Sequence, residues 1–83
     1  MTKLSKFVNE ICAEIRNISP AIRIEISYEP FEDVDATIRV YPPNEEIGDK
    51  VNEMAVERTL DILLEEGYHI SVLVFEPEEV KIS

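Results

Sequence analysis

With 83 residues the chain makes one domain, near the lower end of what a single hydrophobic core supports without covalent help. Its one cysteine, Cys12, excludes an internal disulfide, no His/Cys cluster offers structural zinc, and no apolar run is long enough to cross a bilayer. Eighteen acidic against eight basic residues give a formal charge of −10, which sets the chain against nucleic-acid backbones; on composition the acidity serves to keep a small protein soluble, with a basic protein partner as the sharper alternative. Taken along the chain, the first pattern is Leu4, Phe7, Val8, Ile11, Cys12, Ile15 and Ile18, spaced by three and four as on one face of a helix. Ser19-Pro20 ends it. From Ala21 to Tyr28 the period becomes two, so Ile22, Ile24 and Ile26 face a core while Arg23, Glu25 and Ser27 face away.

Glu29-Pro30-Phe31-Glu32 reads as a turn short enough to make the next strand an antiparallel partner. That strand begins near Asp33 and runs to Tyr41, with Val34, Ala36, Ile38 and Val40 inward and Asp33, Asp35, Thr37, Arg39 and Tyr41 outward. Pro42-Pro43-Asn44 stops it, and a helix from Glu45 to Glu66 follows, with acids in its first turn and Gly67 as its stop. The last strand spans Tyr68 to Phe75, alternating Ile70, Val72 and Val74 with His69, Ser71, Leu73 and Phe75. The charged tail from Glu76 to Ser83 frays or adds a short turn.

The expected fold is therefore a two-layer α+β domain of order α-β-β-α-β, with a three-stranded mixed sheet and both helices on one face. The helical crossover makes the third strand parallel to the second. The other sheet face is open, and Tyr28, Phe31, Tyr41, Leu73 and Phe75 form an apolar patch on or beside it. The second helix is apolar on two sides: Ile47, Val51, Met54, Ala55 and Ile62 on one, Val56, Leu60, Leu63 and Leu64 on nearly the opposite one. Two covers fit the second stripe, the first helix or a second copy of the chain, the latter making a homodimer. Met1-Thr2-Lys3-Leu4 does not open a signal peptide, and the lone cysteine suits a reducing compartment, so a cytoplasmic location with no membrane partner is expected.

Two aspartates one residue apart share a strand face, and like charges held so close attract a cation. Asp33 and Asp35 are thus the candidate metal ligands, with magnesium as the hard cation that suits oxygen donors. Ser27 and His69 join them as a candidate open-face site. Ser27 has no visible base partner in the sequence, and Cys12 on the apolar stripe reads as a small buried hydrophobe. With Ser27, Asp33-Val34-Asp35 and Tyr68-His69-Ile70-Ser71-Val72-Leu73-Val74 on one sheet, the chain resembles a minimal nucleotidyltransferase domain of the DNA polymerase beta superfamily. The resemblance covers residues 5 to 80 in element order. It implies carboxylates that hold magnesium and, through it, a nucleoside triphosphate. The chain departs from that pattern at Ile26, where the family has the glycine of a Gly-Ser turn, and at His69, where a third carboxylate often stands. The implied protein is a nucleotidyltransferase-like fold without catalytic activity, acting as a binding or regulatory module through protein contacts. The alternatives are a magnesium-dependent nucleotidyltransferase and a self-associating structural homodimer.

Overall fold

The computed structural model describes residues 2–29 and 33–76, which form α1 (Lys3–Ile18), β1 (Arg23–Ser27), β2 (Ala36–Tyr41), α2 (Glu45–Glu66) and β3 (Ile70–Val74). The architecture is α+β with two helices and a three-stranded mixed sheet, as the alternation of periods requires. Each helix is bounded by the chemistry its ends need. At α1 the Thr2 hydroxyl accepts from the Ser5 amide at 3.1 Å, and at α2 the Asn44 carboxamide accepts from the Ile47 amide at 2.8 Å, satisfying amides the first turn leaves unpaired. Gly67 closes α2 at φ 79°, the left-handed conformation that costs glycine nothing, and its amide reaches back to the Ile62 and Leu63 carbonyls.

The strands lie in the order β1-β2-β3. β1 and β2 are antiparallel with Arg23 opposite Tyr41, Glu25 opposite Arg39 and Ser27 opposite Thr37. β2 and β3 are parallel, with Thr37 beside Ser71 and Arg39 beside Leu73. The strands are shorter than the alternation alone predicts: regular pairing in β2 begins at Ala36, not Asp33, because Asp35 turns its side chain to the chain entering β3. The turn at Pro30-Phe31-Glu32 and the tail beyond Glu76 lie outside the described residues.

One core joins the two layers. Val8, Ile11, Cys12 and Ile15 of α1 and Val51 and Ile62 of α2 pack with Ile22, Ala36, Ile38, Val40 and Ile70 on one face of the sheet. Tyr68 closes the lower edge against Phe7, with ring centroids 6.0 Å apart. α1 lies over β2 and α2 beside β3, and neither helix makes a principal contact with β1. Ile26 of β1, expected in the core, is 40% exposed. Gly48 lets α2 approach the sheet, since a Cβ there would sit 3.2 Å from Pro42 Cγ and 3.5 Å from Val74 Cγ1. No helix among the described residues is long and apolar enough to cross a membrane.

Candidate functional site

The four candidate residues do not come together as one site. The Asp35 carboxylate accepts from the His69 amide at 2.8 Å while the Asp35 amide donates to the His69 carbonyl, also at 2.8 Å. The His69 ring nitrogen Nδ1 lies 3.2 Å from the Asp33 carbonyl oxygen, a contact that is a hydrogen bond in the tautomer with Nδ1 protonated, since the carbonyl can only accept. The pair therefore staples the start of β3 to the start of β2, one backbone and one side-chain bond at a time. Ser27 lies apart: its row runs Ser27, Thr37, Ser71 across all three strands, so two strand spacings, roughly 9.5 Å, separate it from the β3 backbone. Its hydroxyl accepts from the Glu29 amide at 3.3 Å, and no nucleophile–base contact forms with His69. Among the described residues no three His, Cys, Asp or Glu side chains meet in a way that could hold a metal ion. One Asp35 oxygen is taken by the His69 amide, which leaves the other and the Asp33 carboxylate as the remaining oxygen donors of the aspartate pair at this end of the sheet.

The open sheet face is organised in rows. At the end remote from Asp35, Tyr41 stacks on Phe75 with centroids 5.0 Å apart and planes 9° from parallel, and the Arg23 guanidinium lies 4.8 Å from the Tyr41 ring centre. Tyr41 donates its hydroxyl to Glu25 at 3.1 Å, and Arg23 donates to the same carboxylate. These bonds, first from Arg23 and then from Tyr41, hold the Glu25 carboxyl below its usual range. Burial and then the Glu25 bond push the Tyr41 phenol up. Within the expected apolar patch Tyr41 is thus engaged by polar partners, whereas Tyr28, Leu73 and Phe75 remain exposed, and Phe31 lies outside the described residues.

Among the described residues, the outer face of α2 has no such partners. Val56, Leu60, Leu63 and Leu64 are 57, 50, 41 and 74% exposed, so α1 does not cover the second stripe. The reason is the position of α1, which meets α2 through Arg58 and Ile62 on the inner side. Arg58 lies 3.4 Å from Glu10 and 2.9 Å from Glu14, the latter off the N–H axis and so a Coulombic contact rather than a directed hydrogen bond. Lys3 and Glu66 meet at 3.6 Å further along. Beside the stripe Glu53, Glu57, Asp61 and Glu65 form an exposed row at i, i+4 spacing. Among the described residues no lysine or arginine lies within ion-pair distance of them.

A crevice that the sequence did not announce lies where α2 begins, at the carboxyl ends of β2 and β3. It has a volume of about 320 Å³ and is bordered by Glu45, Asp49, Asn52 and Glu76 around Gly48. The only signal for it was a glycine in the first turn of a helix, which marks a close approach but not what borders it. No family model matches this chain, and no curated protein or solved structure is significantly similar to it.

Proposed function

We propose that the protein is a small cytoplasmic binding or regulatory module that works through protein–protein contacts, on a nucleotidyltransferase-like arrangement without catalytic activity. The observation that carries this reading is the uncovered stripe of Val56, Leu60, Leu63 and Leu64 on α2. A chain this small has little apolar surface to spare, and a contiguous exposed patch of this kind marks a contact surface. The engagement of Asp35 with the His69 amide supports the non-catalytic part, since a carboxylate bonded to its own backbone has less to offer a cation. Cys12 is the one cysteine and forms no disulfide, which supports the reducing compartment, and burial pushes its thiol up and leaves it unreactive.

Affinity capture from the native host tests the reading. A specific protein should be retained by the native chain and by Leu73→Ser on the sheet face, and lost with the double variant Leu60→Ser, Leu64→Ser. Capture indifferent to the α2 variant would sink it. The enzymatic alternative is separately testable by calorimetry with magnesium and ATP at millimolar concentration. Saturable heat that vanishes in Asp33→Ala and Asp35→Ala would replace the module reading with a catalytic one.

A further inference from the structure

We infer that the outer face of α2 docks a cationic amphipathic helix of another protein, an inference that rests on the protein-contact reading above. The stripe supplies the apolar half of the recognition. Val56, Leu60, Leu63 and Leu64 follow the three- and four-residue spacing of one helix face, which is the surface another helix fills with its own i, i+3, i+4 and i+7 anchors. A shallow groove edged by Asn52, Glu53, Val56 and Glu57 continues it toward the amino end of α2.

The acidic row supplies the other half and selects the occupant. Glu53, Glu57, Asp61 and Glu65 repeat at i, i+4, a like-charge spacing that weakens a helix in isolation. The cations of α2 are directed elsewhere, Lys50 to Glu46 in the preceding turn and Arg58 to α1. A partner with lysines or arginines flanking its apolar stripe relieves that repulsion, so charge complementarity points to a basic helix. The same row repels an anionic membrane surface.

A second copy is the rival occupant, and charge counts against it. A two-fold pairing of the stripes brings two acidic rows, and two chains of charge −10, against one another. A basic helix gains attraction where a second copy gains repulsion.

The test uses the full chain and three synthetic peptides: one with leucines at i, i+3, i+4 and i+7 flanked by lysines, its scramble, and the same leucine pattern flanked by glutamates. The lysine-flanked peptide should bind in the micromolar range, more weakly as salt rises, with amide shifts centred on Val56 to Leu64. The variant Glu53→Gln, Glu57→Gln, Asp61→Asn should weaken it by about tenfold, and Leu60→Ser, Leu64→Ser should lose it, both with unchanged circular dichroism. Equal binding of the scramble, equal binding of the glutamate-flanked peptide, shifts on the sheet face, or no binding at all would each overturn the inference. So would a dimer in sedimentation that Leu60→Ser, Leu64→Ser dissociates. In every one of these cases host capture, which uses no peptide, still decides the broader reading: if it remains sensitive to the α2 variant, only the cationic class is wrong.

Discussion

The two long sides of α2 carry the same residue types and meet opposite fates. Val51, Ala55 and Ile62 are all but removed from water, whereas Val56, Leu60, Leu63 and Leu64 stand in it. Nothing in their hydrophobicity separates them; a wheel drawn on the sequence shows two apolar stripes of similar quality. What separates them is topology, because one short sheet and one companion helix can cover only one side of a 22-residue helix. The inner side therefore reports on folding, and the outer side carries the proposed contact surface.

That contrast can be broken or sharpened by substitution. Ile62→Ala on the inner side should cost about 2–5 kcal/mol in urea denaturation, since it empties a packed site. A loss below 1 kcal/mol would mean the inner side is not the core. Gly48→Val should cost roughly 1–3 kcal/mol, because its side chain meets Pro42 and Val74 and pushes α2 off the sheet; an unchanged midpoint would show that the approach is slack. Arg58→Ala, at the border between the two sides, should cost about 0.5–1 kcal/mol and less at high salt, as a partly exposed ion pair does. Leu64→Ser should move stability by no more than about 0.5 kcal/mol, and a large loss would show that the outer side is structural after all.

The sheet offers a pH-dependent check of its own. Because Glu25 is held below its ordinary carboxyl range, it binds a proton more readily unfolded than folded. Its contribution is thus present above the unfolded value and is lost as pH falls through the folded one. Glu25→Gln should flatten that acid limb of the stability profile, and an unchanged limb would show that the Arg23–Glu25–Tyr41 network is not what titrates.

Local periodicity made most of the fold legible. Period three-to-four for α1 and α2, period two for the strands, and the breaks at Pro20, Pro42-Pro43 and Gly67 placed all five elements close to where they lie. The crossover rule then supplied the parallel pairing of β2 with β3. Ile26 was misread because alternation states which face a residue takes, not whether anything covers that face. The candidate site was less legible for a related reason. Asp33 and Asp35 lie just ahead of β2 rather than in it, and a carboxylate looks the same in a sequence whether it awaits a cation or bonds a neighbouring amide. The outer stripe of α2 was visible as a pattern; only the position of α1 showed that it was left uncovered.

The contact between Asp35 and His69 has a consequence for how the chain reaches its native state. It joins residues 34 apart in sequence, and the whole of α2 lies between them. β1 and β2 are close in sequence, whereas β3 can add only after the segment that contains α2 has closed on itself. The parallel pair is therefore the long-range step expected to limit the folding rate, and the Asp35–His69 contact stands just before its first paired residues. A residue that looked like machinery for chemistry becomes, in kinetic terms, a latch on assembly: Asp35→Ala should slow refolding in stopped-flow more than it speeds unfolding.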